Sequence, residues 1–414
     1  MAKRKFGEKS QALYRVQKFE IKPTEEELTI LLSISEVLKT LFNSALAERL
    51  NAFNAFIAPF YVKLKSATLE EVVNIRRELK TAYSEHSITL FDQINVLTAR
   101  RVSDEAFAAV TRNWQEETLD ALDGAFKSFI ALRKNGDMDA RPPRARDEEF
   151  FQKIPGRSGF KIDGGRIILS CGGGRKVSFP IPEYQQGKLA EAVRLKKFEL
   201  YRDEPNLARS GRFWISVAYE LQKPETITFN ANMAVYLALG ASSIGVVSAV
   251  AEETLSLWRS DKYWVPKIEA VEQRMKKRIN GSRGWQCLYQ AKRRMQVISS
   301  RQRLQDEREI ADYLINKHGV HFVVTELVVR SKPGKLADKS KPERRGRLGL
   351  NWAAQNVGSL GRLVLQLEEK VKERGGSVQK HLLILEERPS VVGHENKIWM
   401  ARKLRDSFLA GILA

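Results

Sequence analysis

The chain has 414 residues, 70 of them Lys or Arg and 50 Asp or Glu, for a formal net charge of +20. Such an excess draws polyanions and speeds encounter with them, while an apolar share of 43% points to packed cores rather than disorder and the length to two or three domains. Neither a basic amphipathic anchor nor a lipidation motif favours a membrane surface, no apolar run is read as reaching the ~20 residues of a membrane span, and Met1-Ala2-Lys3-Arg4-Lys5 lacks the apolar stretch of a signal peptide. Cys171 and Cys287 are the only cysteines, which fits a reducing cytoplasm and excludes a cysteine-rich zinc ribbon. The five histidines, His86, His318, His321, His381 and His394, have no metal-ligand spacing, and His318 and His321 are expected to be surface or packing residues. Neither metal nor cofactor is expected.

In chain order, Tyr14 to Ile21 reads as a strand stopped by Pro23. Thr24 followed by Glu27 has the spacing of a capping box and opens a helix with Leu28, Leu31, Leu32, Ile34, Val37, Leu38, Leu41 and Phe42 on a broad apolar face. Helical periodicity continues to about residue 133, with breaks near Ser66, Ser87 and Ser103. From about 135 to 225 the pattern changes to short β-rich runs, Arg166–Leu169, Lys176–Phe179, Phe198–Tyr201 and Phe213–Val217. Asp163-Gly164-Gly165 and Gly172-Gly173-Gly174 supply hairpin turns; the second could cradle a phosphate but opens no helix, so a turn is the expectation. Pairing of the first strand with this β unit would make the helical block an insertion.

Beyond about residue 231 come two short apolar strands, Val235-Tyr236-Leu237-Ala238-Leu239-Gly240 and Ser243-Ile244-Gly245-Val246-Val247-Ser248, a third strand, and a basic helical hairpin over 266–317. Strands and helices then alternate to the end. From Lys267 to Arg308 there are 12 Lys/Arg against 4 Asp/Glu. A solvated helix ordinarily mixes signs, so this face is expected to track phosphates through Lys276, Lys277, Arg278, Arg283, Lys292, Arg293, Arg294, Arg301 and Arg303. The segment 331–347 carries 7 Lys/Arg and 2 Asp/Glu and is expected to be a loop that orders on nucleic acid.

This succession resembles the TnpB family of transposon-encoded, RNA-guided nucleases over nearly the whole chain. Leu122-Asp123-Gly124-Ala125-Phe126-Lys127-Ser128-Phe129 is similar to one of its recognition helices, Arg141-Pro142-Pro143 to its entry into the barrel, and Gly211–Val217 to its last barrel strand. Arg278 with Gly281-Ser282-Arg283 is similar to its basic hairpin, and Phe322–Leu327 to its second catalytic strand, with Glu326 in the acidic position. The resemblance implies a multidomain α+β fold: a β-barrel wedge domain over 1–22 and 135–230, a helical recognition domain over 23–134, and an RNase H-like (RuvC) α/β domain over 231–414. Gln93, Asn95 and Thr98, on the recognition domain, carry amide and hydroxyl groups able to read base edges of a motif beside the target.

The departures from that family matter more than the matches. Its first strand ends in Asp-Leu-Gly, whose Asp holds the catalytic Mg²⁺ ions; here the tripeptide is Ala238-Leu239-Gly240. The acid that would open the last helix falls near Lys397, with Glu395 the nearest carboxylate, and the zinc ribbon is missing. Loss of the first acid and the ribbon with retention of a basic surface resembles the nuclease-dead TnpB-like repressors, TldR. That resemblance implies a cytoplasmic, bacterial, nucleoid-associated protein, one copy per guide RNA, that binds motif-flanked duplex DNA and blocks transcription. Two alternatives stay open: an active endonuclease of the TnpB type, and an accessory factor that uses guided binding in transposition or CRISPR systems.

Overall fold

The computed structural model describes residues 12–137, 139–203, 211–240, 243–257, 260–325, 360–383 and 394–413, in two compact units, Met1–Gln222 and Lys223–Ala414. Together they form a mixed α+β chain with several sheets.

The first unit joins a helical layer to two antiparallel sheets. Strand β1 (Leu13–Ile21) pairs along its whole length with β7 (Phe213–Leu221), and the sheet continues through β6 (Ala192–Arg202) to β2 (Ile154–Gly156). A second sheet holds β3 (Phe160–Asp163), β4 (Arg166–Gly172) and β5 (Arg175–Pro180). Alternate residues of β7, namely Phe213, Ile215, Val217 and Tyr219, are buried, as a strand with one covered face requires. They share a core with Phe19, Phe179 and Phe198 from the other strands, and with Leu31, Ile34 and Leu38 of the first helix. Hydrogen bonding among the described residues thus gives two sheets around one core where a β-barrel was expected. The chain bends at the anticipated glycines: Gly164 and Gly165 between β3 and β4, and Gly172 to Gly174 between β4 and β5, have positive φ. The latter turn lies against the Ala109 carbonyl, as a packed turn.

The helical layer runs from α1 (Glu25–Ala52) through a π-helical turn (Phe53–Ile57) to α2 (Ala58–Ser66), α3 (Leu69–His86), α4 (Leu90–Ser103), the short α5 (Glu105–Ala108) and α6 (Arg112–Lys134). The Thr24/Glu27 capping box forms with both of its hydrogen bonds, and the helices break beside Ser66, Ser87 and Ser103. By length and composition the helical run Glu25–Leu64 would suffice to cross a membrane, a correction to the reading that no apolar run reaches that length. Many of its apolar residues pack inward: Leu41, Phe42 and Leu46 against Leu97, Leu119 and Leu122, and Phe53 and Ile57 against Tyr61, Leu79 and Phe129. A helix α7 (Glu183–Ala190) follows β5.

The second unit is built on a five-stranded sheet in the order β10-β9-β8-β11-β12. Its strands are β8 (Val235–Ala238), β9 (Ser243–Val247), β10 (Glu252–Ser256), β11 (His321–Thr325) and β12 (Ser377–His381). The first three form an antiparallel meander; β11 runs parallel to both β8 and β12. The three central strands, β8, β9 and β11, are buried along almost their whole length because both of their faces are covered. Val235 and Leu237 of β8 pack with α9 (Arg283–His318) and α10 (Leu360–Lys372). Tyr236 and Ala238, pointing the other way, pack with Ala401 and Leu404 of α11 (His394–Leu413). α8 (Ser260–Lys276) pairs with α9 as the basic hairpin; it starts six residues before Pro266, which lies inside it.

Candidate nucleic-acid interface

The two-residue periodicity of β8 decides what surrounds its end. Ala238 is fully buried, faces α11, and stands opposite Gly245 of β9. A Cβ on Gly245 would lie 1.9 Å from the Lys397 carbonyl oxygen, so the first turn of α11 sits directly on this strand pair. The Lys397 side chain then runs past Gly240, where an added Cβ would come 2.5 Å from Cε and 2.6 Å from Nζ. Its ammonium donates to the Leu239 carbonyl at 3.5 Å and touches Met400 Sδ at 3.6 Å. Thr325 Oγ1, at the end of β11, accepts from the Leu239 N–H at 3.1 Å.

The chain therefore brings Ala238 and Lys397, singled out in the sequence, to one spot at the carboxyl ends of β8 and β11. A hard divalent cation seeks oxygen ligands; a methyl group offers none and an ammonium repels it, so this pair does not fit a metal-ion site. Among the described residues no group of three or more His, Cys, Asp or Glu could hold a metal. Glu326 lies outside the described residues, as does the basic segment 331–347. Glu395 is exposed on the first turn of α11.

Burial lowers the Lys397 pKa below its usual 10.5, because the charged form gives up water for one weak carbonyl contact. Removing that charge at constant length should relieve the cost. Lys397→Met is expected to raise stability to chemical denaturation by about 1 kcal/mol near neutral pH. Since the native state binds the proton less tightly than the unfolded chain, the unaltered protein gains stability as pH rises from the lowered value toward 10.5, and the advantage of the variant should shrink across that window. Denaturation midpoints of both proteins against pH check this; a Met variant less stable throughout would mean that the ammonium is well solvated.

On the hairpin, Lys276, Lys277 and Arg278 at the end of α8 are exposed, as are Arg283, Arg294 and Arg301 on α9. At 100° per residue Arg283, Arg294 and Arg301 fall on one line, which Arg308, also exposed, extends. The stripe spans about 38 Å and ends at Arg308, since Ile315, the next residue on the same line, is buried. Two of the expected phosphate contacts need correcting. Lys292 is partly buried and pairs with Glu272 across the hairpin at 2.6 Å, and Arg303 bonds back to Ser299 and Ser300 of its own helix. Arg293 is half-buried. Arg308 was missed, although its spacing of seven residues from Arg301 was available in the sequence.

The three candidate base readers separate in the same way. Gln93 points into the helical core: its amide nitrogen donates to the Ala45 carbonyl at 2.8 Å and to Glu48, and its oxygen accepts from Arg49 at 2.9 Å. Such a side chain positions Arg49 rather than reading bases, which corrects the assignment. Thr98 is exposed but its hydroxyl donates to Ile94 and accepts from Arg112. Asn95 shares the exposed face of α4 with Thr98. The first unit also has a groove of about 1070 Å³ between α6, the 141–153 segment and β6, lined by Arg141, Arg144, Arg146, Lys153 and Arg202 among others. Of these only Arg141 was singled out, because cations scattered along a loop carry no period.

Cys171 lies in the core of the first unit, its thiol pushed up to about 11 by burial, whereas Cys287 is exposed on α9. His318 bridges Ser248 at 2.8 Å and Glu253 at 2.7 Å, and His321 meets Ser377 at 3.0 Å, so both are packing residues.

No protein-family model matches this chain, and no curated protein matches its sequence. Solved structures similar to it include two that hold Cas12f proteins. One is a chain from the cryo-EM structure of a Cas12f1–sgRNA–target DNA complex, 11% identical with a TM-score of 0.49, covering 96% of this chain and 99% of that one. The other comes from the cryo-EM structure of a CRISPR-Cas12f ternary complex, 11% identical with a TM-score of 0.32, covering 88% and 72%. Likeness at this level does not identify a family.

Proposed function

We propose that this chain is an RNA-guided DNA-binding protein that holds its target without cutting it and represses transcription by occupying the site. The observation that carries the reading is the Lys397 ammonium lying beside Leu239 and Gly240, next to Ala238, where two-metal hydrolysis would require carboxylates. The sheet order β10-β9-β8-β11-β12, with β9 antiparallel to its neighbours, suits an RNase H-like domain, in which this spot corresponds to the catalytic centre. The net charge of +20 and the exposed arginine line on α9 suit a nucleic-acid backbone. In a guided effector of this kind base pairing reads the sequence, while the protein reads an adjacent motif and the shape of the heteroduplex.

RNA that copurifies with the protein should be a single short species with a constant scaffold and a variable end. Loaded with that RNA, the protein should bind matched, motif-flanked duplex DNA and leave it intact in Mg²⁺. Ala238→Asp alone should also leave it intact, since Lys397 still places a positive charge beside the new carboxylate. A reporter carrying the matched site should be repressed, and equally so by Glu326→Ala, because a steric block needs no carboxylate there. Cutting by the unaltered protein would overturn the reading, and so would repression that vanishes with Glu326→Ala in a folded protein.

A further inference from the structure

The helical layer of the first unit encloses a cavity of about 660 Å³, within the size range of small-ligand sites. It lies where the π-helical turn after α1, the ends of α3 and α6, and the start of α4 converge. The π-turn is what shapes it. The extra residue per turn points Phe53 and Ile57 inward, onto the floor with Phe126, and leaves Phe56 at the surface, stacked on His86 with ring centres 4.1 Å apart. π-Helical turns of this kind are frequent at functional sites. Phe91, on the first turn of α4, stands 76% exposed on one wall.

The charges around these rings are one-sided. Lys80, Lys127 and Lys134 line the cavity and are exposed. Asp123, the one carboxylate among its described lining residues, is already taken by Arg49 at 2.8 Å and Lys127 at 2.6 Å. Arg49 is 4% exposed; its Nε and Nη1 are bonded to Gln93 and Asp123, but its buried Nη2 has no partner. An apolar ligand would make no use of the rim. A flat ring joined to phosphates uses both features, the aromatic walls and the lysines.

We propose that this cavity holds one unstacked nucleotide of a single-stranded nucleic acid, its base between Phe91 and the Phe53/Phe126 floor and its phosphates at Lys80, Lys127 and Lys134. The inference rests on the reading above only in requiring that the chain bind nucleic acid; it needs neither a guide nor a target. Stacking on aromatic side chains tolerates any base, so the site grips a strand without reading it.

The test uses the full chain and an eight-residue oligouridylate carrying one 5-iodouridine, with its deoxy counterpart as a second arm. Irradiation should crosslink the probe to peptides containing Phe91 or Phe126. Phe91→Ala, and separately Lys80→Ala with Lys134→Ala, should each lower affinity about tenfold and remove that crosslink, while Phe91→Trp should keep both. All these side chains are exposed, so loss of fold does not confound the result. The RNA and DNA arms decide which strand the site accepts. Crosslinks confined to α9, with affinity unchanged in the variants, would overturn the pocket and leave the proposed function standing. Crosslinks at Phe91 in a protein that copurifies with no guide would do the reverse.

Discussion

Gly245→Ala is expected to unfold the second unit, or at least to detach its last helix. A Cβ at this position would sit 1.9 Å from the Lys397 carbonyl oxygen and 2.3 Å from its carbonyl carbon. Both atoms belong to helix backbone, so neither can swing aside as the end of a side chain would. α11 must lift off the sheet, uncovering Tyr236, Ala238 and Val247, which now pack with Ala401 and Leu404. Overpacking of a core costs typically 1–3 kcal/mol and more where backbone must move, so a loss of about 3 kcal/mol or more is expected in denaturant titrations. Gly124→Ala is the control: on α6 its Cβ would meet nothing within 4 Å, and it should stabilise by roughly 0.5–1 kcal/mol through helix propensity. Because the collision is with backbone, Lys397→Met should not rescue Gly245→Ala. An unchanged midpoint for Gly245→Ala would mean that α11 does not rest on β9 as described.

Most of the secondary structure was legible because it follows from local rules. The Thr24/Glu27 box, the glycine turns and the alternation in β7 each depend on a few neighbouring residues. That β1 joins the β-rich unit was also legible, but not that its partner there is β7. What could not be read was how partners far apart in sequence use up polar groups. Gln93 is as polar as Asn95 two residues on, yet the helix turns it inward to Arg49, forty-four residues away, and nothing local announces that. Lys292 looks like its neighbours Arg293 and Arg294 until Glu272 faces it across the hairpin. The meeting of Ala238 with Lys397 was legible only through the family resemblance. The residues are 159 positions apart, and what joins them in space is Gly245, whose missing side chain has no meaning until α11 is seen resting on it.

The second large effect is expected from the arginine line on α9. Replacing Arg283, Arg294, Arg301 and Arg308 together with Ala should cost nucleic-acid binding roughly a thousandfold at 0.15 M salt. Each phosphate contact on a duplex contributes about 0.9 to the slope of log affinity against log salt, so four lost contacts should flatten that slope by about 3.5. Fold should survive, since all four side chains are exposed. Lys292→Ala separates the two roles of charge on this hairpin. It removes the same unit of charge but breaks the pair with Glu272, so it should loosen the hairpin in hydrogen exchange while changing the slope little. Phosphate contacts carry no sequence information, so the fourfold variant should lose affinity alike for every target. A slope equal to that of the unaltered protein would remove α9 from the interface. A loss restricted to some sequences would show that these arginines reach base edges instead.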